Sequence, residues 1–287
     1  MSTIKKGDKI TLEYFEPKDV MEQGVISVSH IVHGYRYINI GEESFGNSGA
    51  CQVNVNCSEG NNWQQEKNAV ALILVNGNRY CTGSLINTTA NDTRPLFLTA
   101  DHCLGGWANS VKHDAITNSN LSHWSFYWNY ESPTCANPSS EPPILSTVGA
   151  TVVANNSNTD FALLNLTENP KDDCNITPYY LGWDRTGSAG TGGVGIHHPG
   201  GDIKKIATYN ITPSNSNCYS SGGSNFWKVN WTATSNGHSV TEGGSSGSPL
   251  INSNHRVIGQ LYGAATCSNT NCSDPSSDIS NYGKFSV

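Results

Sequence analysis

Charged side chains are scarce in this chain, and basic ones are the scarcer kind. Asp, Glu, Lys and Arg make up 14% of the 287 residues, and 23 acidic residues against 16 basic ones give a net charge of −7. A protein that binds nucleic acid needs a basic surface to neutralise phosphates. We therefore expect no nucleic-acid partner.

The chain also lacks long apolar runs. No run approaches the roughly 20 residues that cross a bilayer, and residues 1–6 (MSTIKK) lack the apolar core of a signal peptide. We expect no membrane association. Hydrophobic residues still make up 36% of the chain, which is enough for a packed core, and 29 glycines suit a turn-rich β protein. The length fits one large β domain or two small ones.

Cysteine is well represented, with nine residues, several of them near expected strand ends. Such usage is typical of disulfides formed in an oxidising compartment. Zinc sites need closely spaced Cys and His ligands, and the pairs Cys51/Cys57 and Cys267/Cys272 lack the usual short spacing. We expect a secreted protein with disulfides, no metal ion and no cofactor. The missing signal peptide then indicates that the sequence is a fragment of a longer precursor.

A stretch rich in glycine and serine, Thr241–Pro249 (TEGGSSGSP), is the centre of the functional interpretation. A nucleophilic serine needs a backbone that turns sharply, and glycine permits the required dihedral angles. Convergent N–H groups in such a turn can stabilise the oxyanion formed when a hydroxyl attacks a carbonyl. Gly/Ser runs are also typical of flexible linkers. However, apolar segments at Leu250–Ile251 and Val257–Tyr262 flank a polar turn behind this stretch, and they predict a loop attached to a β-hairpin.

A serine nucleophile requires a base, and the base requires an orienting carboxylate. His102 follows the apolar run Leu96–Leu98, and Asp160 directly precedes another, Phe161–Leu164. Taken alone, His102 is typical of a structural histidine, and Asp160 of a turn residue at a strand edge. The three residue types together, each beside an apolar strand, indicate a Ser-His-Asp triad.

The residues around these positions resemble the triad motifs of chymotrypsin-like serine proteases, and they are most similar to those of the bacterial lysyl endopeptidase group. The similarity runs from about Gly46 to the C-terminus. Its motifs are Ser48–Cys51, Cys81–Leu85, Asn87–Asp92, Thr99–Cys103, Tyr127–Tyr130, Thr159–Leu164, Gly182–Arg185, Ile196–Pro199 and Gly244–Ser248.

The resemblance implies a role for each candidate residue. His102 would be the general base, Asp160 its orienting carboxylate and Ser246 the nucleophile. The backbone amides of Gly244 and Ser246 would form the oxyanion hole. The other two serines of the loop are rival hydroxyls, for which loop hydrogen bonding is the alternative role.

The resemblance also implies an all-β fold of two antiparallel β-barrels with the active site between them. We expect the first barrel in residues 46–170 and the second in 171–287, with the C-terminus truncated. Residues 1–45 are dense in charge and contain two predicted strands, Ile10–Phe15 and Val25–Val32. We interpret this segment as the remnant of a propeptide, and thus the chain as a zymogen form; an N-terminal β extension is the alternative.

Apolar runs predict the strands of the two barrels, and little helix is expected. Of the neighbours His197 and His198, one should lie in the core and one should be exposed, because adjacent strand residues face opposite sides. Residues 170–173 are expected to connect the halves. The predicted strands are Ala69–Val75, Arg79–Ile86, Leu96–Thr99, Thr147–Val153, Phe161–Leu166, Val194–His198, Lys205–Tyr209, Phe226–Trp231, Arg256–Tyr262 and Tyr282–Val287.

The disulfide pairs are also implied by the resemblance. They are Cys51–Cys267, Cys57–Cys135 and Cys81–Cys103. The last pair would join the segment that carries His102 to its neighbouring strand. Among the remaining cysteines, we expect a Cys174–Cys218 bridge, which leaves Cys272 unpaired.

The residue that selects the substrate side chain has three candidates. Lys-specific relatives place an Asp shortly before a Tyr-Gly pair, which here is Tyr282–Gly283. Counting back without a gap reaches Ser280, a two-residue insertion reaches Asp278, and Asp274 is a third option. A buried Asp would select Lys or Arg by charge pairing, whereas Ser280 would leave a neutral polar pocket.

The expected function is cleavage of protein or peptide substrates by a monomeric, secreted serine endopeptidase, with a preference for bonds after Lys or Arg. Tyr262 and Gly263 complete the residues expected at the specificity pocket. Two alternatives use the same fold: a non-catalytic secreted binding module, and a serine esterase with the same site and a different leaving group. Intact His102, Asp160 and Ser246 argue against the binding module.

Overall fold

A computed structural model of the protein describes residues 14–21, 24, 44–75, 78–105, 121–174, 176–216, 224–263 and 272–287. The chain divides into two compact units, Met1–Glu42 and Glu43–Val287. In the first unit, a 3-10 turn is described at Lys18–Val20. The predicted strand Val25–Val32 lies outside the described residues, and so does most of Ile10–Phe15.

The second unit is built mainly from strands that form two sheets. The first sheet contains β1 Val70–Val75, β2 Asn78–Leu85, β3 Leu96–Ala100, β4 Ser125–Trp128, β5 Leu145–Val148, β6 Ala150–Asn156 and β7 Phe161–Leu166. Its spatial order is β5-β4-β1-β2-β3-β7-β6. Every neighbouring pair in it is antiparallel.

The second sheet contains β8 Gly182–Trp183, β9 Gly193–His197, β10 Lys205–Tyr209, β11 Ser214–Asn215, β12 Phe226–Asn230, β13 Pro249–Asn252, β14 Arg256–Gly263 and β15 Ile279–Lys284. Its order is β10-β9-β13-β14-β15-β12-β11, with β8 pairing with β14 in parallel. Each sheet is curled into a half-barrel, and the predicted all-β class with two antiparallel barrels is confirmed.

Two short α-helices lie at the ends of strands in the first sheet: α1, His102–Gly105, and α2, Pro170–Asp173. In α2 the Asn169 side chain accepts the Lys171 N–H at 3.0 Å, and Pro170 occupies the first helical position, where its missing N–H is tolerated. This helix lies between the last strand of the first sheet and the first strand of the second. Within the described ranges, no helix has the length and apolar character needed to cross a bilayer.

The predicted strand Thr147–Val153 is instead two strands, β5 and β6. Gly149 separates them with a φ of 87°, a left-handed conformation that glycine adopts without the steric penalty of a Cβ. A Cβ at this position would also lie 2.9 Å from the Thr167 hydroxyl. The chain therefore turns at Gly149, so β5 pairs with β4 while β6 pairs with β7.

The largest apolar core continues from one sheet to the other. It joins first-sheet residues such as Phe97 and Trp128 to second-sheet residues such as Ile196 and Ile251. A second core, which includes Trp231, lies within the second sheet. Because the shared core packs the two sheets together, the ends of their strands are held in fixed relation.

Both His197 and His198 are fully buried, so the prediction that one would be exposed was wrong. His197 ends β9 and contacts the Gly/Ser loop, while the His198 ring packs against Tyr130 at 6.2 Å between centroids. The second face of β9 is covered by the first half of the chain rather than by solvent.

The structure contains the implied disulfides Cys57–Cys135 and Cys81–Cys103. The implied pair Cys51–Cys267 is wrong, because Cys51 is bonded to Cys272. Both of these sulfurs pack against the second core, where the segment before β15 passes the start of the unit. The Cys174–Cys218 pairing was also wrong, since Cys174 is a free thiol. Cys218 and Cys267 themselves lie outside the described residues.

Replacing Cys81 and Cys103 together with Ala should lower the free energy of unfolding by about 3 kcal/mol, because the bridge closes a loop with a sequence separation of 22. Urea unfolding measures this change. The matched control is Cys174→Ala, which removes a free, partly exposed thiol and should cost less than about 1 kcal/mol. Equal losses in both proteins would contradict a stabilising role for the bridge.

Candidate active site

His102 lies where the chain leaves β3. The β3–β7 pairing sets Ala100 opposite Phe161, so the residues just after Ala100 meet the residue just before Phe161. The backbone shows this contact directly, since the Asp101 N–H donates to the Asp160 carbonyl at 2.8 Å. Strand register therefore brings together His102 and Asp160, which are 58 residues apart in sequence.

The Asp160 carboxylate holds His102 at two points. Oδ2 lies 2.7 Å from the ring Nδ1, and Oδ1 accepts the backbone N–H of His102 at 2.8 Å. Asp160 is 3% exposed. Burial raises the pKa of its carboxyl, and the hydrogen bonds with His102 oppose that rise. An ionised Asp160 accepts the Nδ1 proton, which leaves Nε2 as the ring atom able to take a proton from a nucleophile.

Ser246 is the most accessible serine of the Gly/Ser loop. It is 8% exposed, whereas Ser245 and Ser248 are 0% exposed. The Ser245 hydroxyl is also occupied, because it accepts the Glu242 N–H at 3.1 Å and lies 2.8 Å from Nδ1 of His197. Ser246 is therefore the candidate nucleophile.

Thr82 connects this loop to the first sheet. Its backbone N–H donates to the Ser246 carbonyl at 2.8 Å. Thr82 follows Cys81, whose disulfide partner Cys103 directly follows His102. The Cys81–Cys103 disulfide thus joins the segment that anchors the candidate nucleophile to the segment that carries the candidate base.

Two glycines allow the Gly/Ser loop to approach the first sheet closely. Gly244 and Gly247 have φ values of 82° and 81°, and a Cβ on Gly247 would collide with the Thr99 hydroxyl and the Thr82 carbonyl. The Thr82 hydroxyl donates to the Gly244 carbonyl at 2.7 Å. A larger residue at position 247 would push the loop away from this anchor.

Two amides beside Ser246 are oriented by the carbonyls that precede them. The Gly243 carbonyl accepts the Gly200 N–H at 2.7 Å, and the Ser245 carbonyl accepts a bond from within the loop at 3.0 Å. In a trans peptide the C=O and N–H point in opposite directions, so the Gly244 and Ser246 amides face away from those donors. Among the described residues, neither amide donates to a protein acceptor. Two such donors beside a hydroxyl are what an oxyanion hole requires.

Of the three candidates for the specificity residue, only Asp278 is a buried carboxylate. Asp278 and Ser280 are both 0% exposed, whereas Asp274 is exposed. The Ser280 hydroxyl is already hydrogen-bonded, since it accepts from Trp231 Nε1 at 2.9 Å and lies 2.7 Å from the Thr241 hydroxyl. Ser280 is thus part of the second core's polar network.

Neither carboxylate oxygen of Asp278 has a hydrogen-bond partner among the described residues. Burial raises the pKa of Asp278 to about 7; the nearby backbone of Thr241 opposes the rise, and the charge of Glu242 adds to it. A buried carboxylate without a partner is unfavourable unless a ligand satisfies it. Because Thr241 and Glu242 begin the Gly/Ser loop, this carboxylate lies next to the candidate nucleophile's own loop.

Tyr262 and Gly263 form the end of β14 beside this region. The Tyr262 ring meets the His102 ring edge-on at 5.6 Å between centroids, and it meets Phe226 in the same way at 5.6 Å. Gly263 pairs with Asn281 of β15. The two residues therefore line the approach between the candidate base and the start of β15.

The sequence analysis gave no role to Thr82, Gly200 or His197, although their side chains or amides hold the loop. Thr82 and His197 lie within the motifs that carry the resemblance, and Gly200 follows one of them. Hydrogen bonds between residues so distant in sequence leave no periodic pattern, so only the motif positions pointed toward these contacts.

A cluster of possible metal ligands also lies at the site. The sulfurs of Cys81 and Cys103 and a ring nitrogen of His102 are within 4.8 Å of one another. Because the two sulfurs are bonded to each other, they offer no thiolate to a metal ion.

The chain is similar in sequence to a curated protein. A lysyl endopeptidase from Pseudomonas aeruginosa is 28% identical over 306 aligned positions, which cover 98% of this chain and 59% of that protein. The chain thus spans about 59% of the length of the curated relative that it matches.

Among solved structures, the active form of the Rv3671c protease from M. tuberculosis has a TM-score of 0.48 at 14% identity, covering 89% of this chain and 90% of that one. A Glu endopeptidase in complex with MPD has a TM-score of 0.46 at 18% identity, covering 85% and 94%. Both scores are below 0.5, so the assignment rests on the family match.

The family model for the lysyl endopeptidase C-terminal domain matches residues 45–279, a range that contains His102, Asp160, Ser246 and Asp278 but ends one residue before Ser280. The chain therefore belongs to the lysyl endopeptidase C-terminal domain family.

Proposed function

We propose that this chain hydrolyses peptide bonds with Ser246 as nucleophile, His102 as general base and Asp160 as the carboxylate that orients the base. The observation that carries the proposal is the pair of hydrogen bonds that the Asp160 carboxylate accepts from the ring and the backbone of His102. It fixes which ring nitrogen is left to act. The anchoring of the Ser246 carbonyl on Thr82 supports the same assignment.

The chemistry proceeds in two half-reactions. Ser246 Oγ attacks the substrate carbonyl while Nε2 of His102 takes its proton, and the amides of Gly244 and Ser246 stabilise the oxyanion. The protonated ring then gives its proton to the leaving amine, and an acyl-enzyme remains. Water repeats the sequence and releases the acid, which restores the free hydroxyl and the neutral ring.

The proposed substrates are proteins or peptides with a basic residue before the cleaved bond. Asp278 supports this preference, because its buried carboxylate has no partner within the described protein and can pair with a Lys or Arg side chain. The name of the P. aeruginosa relative points the same way. The three disulfides support secretion into an oxidising compartment. Residues 1–45 remain our proposed pro-segment.

Ser246→Ala and His102→Ala should each reduce the turnover of peptides and activated esters by at least about 10,000-fold, since members of a triad act as one unit. Initial rates with both substrate classes measure this loss. Ser253→Ala is the matched control, because that exposed serine lies in the β13–β14 turn, and it should keep full activity. Wild-type rates in either triad variant would contradict the assignment. If the wild-type protein hydrolyses esters but not peptides, the esterase alternative is favoured.

The preference for a basic substrate should depend on pH. The Asp278 carboxyl ionises as the pH rises through about 7, so the ratio of kcat/KM for a Lys substrate over its norleucine analogue should increase by about 10- to 100-fold from about pH 5 to pH 9. Any pH effect that the two substrates share cancels in the ratio. Asp278→Asn should give a low ratio at every pH. A constant high ratio in the wild-type protein would be inconsistent with Asp278 as the counter-ion.

Asp278→Asn should also stabilise the protein at high pH. The folded-state pKa of about 7 lies above the ordinary value of 3.8, so folding favours the protonated carboxyl, and stability is lost as the pH rises from about 4 through 7. At pH 8 the variant should gain roughly 1–4 kcal/mol in the free energy of unfolding. Near pH 4 the gain should vanish. Urea unfolding at both pH values decides this, and a variant no more stable at pH 8 would exclude the raised pKa.

A further inference from the structure

His197 is a fully buried residue at the end of β9 that contacts the loop of the candidate nucleophile. Its Nδ1 lies 2.8 Å from the hydroxyl of Ser245, the residue directly before Ser246. The proposed hydrolysis gives neither side chain a chemical role. Among the described residues, the contact is nevertheless the one side-chain bond that joins Ser245 to a strand.

The bond between these side chains is formed by neutral groups. Burial and, to a smaller extent, the ammonium of Lys205, its partner on β10, lower the pKa of His197 to about 3. The Ser245 hydroxyl already accepts the Glu242 N–H at 3.1 Å. Its own proton is therefore the one available for donation to Nδ1 of the neutral imidazole.

The hydrogen bond between Ser245 and His197 restrains the loop. Ser245 Oγ accepts the Glu242 N–H and contacts Nδ1 of His197, so it connects the start of the loop to β9. β9 is held on both sides, since it pairs with β10 and with β13, the strand that follows the loop. The peptides on either side of Ser245 include the two amides of the proposed oxyanion hole, those of Gly244 and Ser246, so the side-chain anchor limits the rotation of both.

We infer that His197 is a positioning residue for the oxyanion hole: by binding the Ser245 hydroxyl, it fixes the direction of the Gly244 and Ser246 amides. The inference rests on the proposed function. The oxyanion forms only during the reaction, so the contribution of His197 lies in the transition state and not in the binding of substrate. Because His197 stays neutral, its contribution is constant across the working pH range.

The test compares His197→Phe, Ser245→Ala and the double variant in the full chain. Each removes the hydrogen bond between Ser245 and His197, and Ser245→Ala also removes the acceptor of the Glu242 N–H. Each should therefore lower kcat by about 10- to 100-fold, less than the roughly 100- to 1,000-fold caused by loss of an oxyanion donor, with KM unchanged. The double variant should be no slower than the slower single variant. His197→Asn keeps a polar atom near the position of Nδ1 and should recover most of the rate. The acid limb of the pH–rate profile should stay in place.

Inhibitor affinities distinguish a misplaced oxyanion hole from a general loss of structure at the site. A peptide boronic acid forms a tetrahedral adduct that uses the oxyanion hole, so its affinity should fall by the same factor as kcat. The corresponding product peptide does not use it and should bind as in the wild-type protein. If His197→Phe does not fold, kcat and the two affinities are measured in Ser245→Ala alone.

The inference is overturned if both single variants keep wild-type kcat, or if boronate and product affinities fall together. Either result, obtained while Ser246→Ala is inactive, leaves the proposed hydrolase intact and removes only the role of His197. Activity in Ser246→Ala would instead refute the proposed function itself.

Discussion

The pair of hydrogen bonds between the Asp160 carboxylate and His102 is the interaction on which the rest of the site depends. It requires the β3–β7 register, because this pairing brings the residues just after β3 against the residue just before β7. It also requires burial, which raises the pKa of the carboxyl and is tolerated because both oxygens accept hydrogen bonds from His102. The first sheet thus orients the ring of His102, the candidate base, and the loop before β13 of the second sheet carries Ser246, the candidate nucleophile.

The loop that carries Ser246 is rigid because other parts of the protein bind its carbonyls and one of its hydroxyls. Thr82 binds two of those carbonyls from the first sheet, and Gly200 binds a third from the second. Asp278 has the opposite character, since it is buried without a partner in the described protein. The fold thus hydrogen-bonds the carbonyls of the loop and leaves the Asp278 carboxylate, which is proposed to meet the substrate side chain, without a partner among the described residues. The cost is stability that is lost as the pH rises from about 4 through 7.

Apolar strands with a polar residue at their ends point to His102 and Asp160 as candidates, and the Gly/Ser loop in front of a hairpin points to Ser246. Local patterns could not choose Asp278 over its two rivals, because burial of the segment before β15 depends on the whole second core. Nor could spacing choose the partner of Cys51, since both candidate cysteines precede the same strand. The contact of His197 with the loop joins residues 48 apart and has no local signal.

The most direct test of the account is the rate at which a fluorophosphonate probe labels Ser246 in Asp160→Asn compared with the wild-type protein. Asn cannot hold the ring with its proton on Nδ1, so the nucleophile loses its base. The account predicts labelling of Ser246 in the wild-type protein and a rate lower by about 10,000-fold in the variant, with the fold retained. Labelling of both proteins at the same rate, or of neither, would contradict the central role of the Asp160–His102 pair.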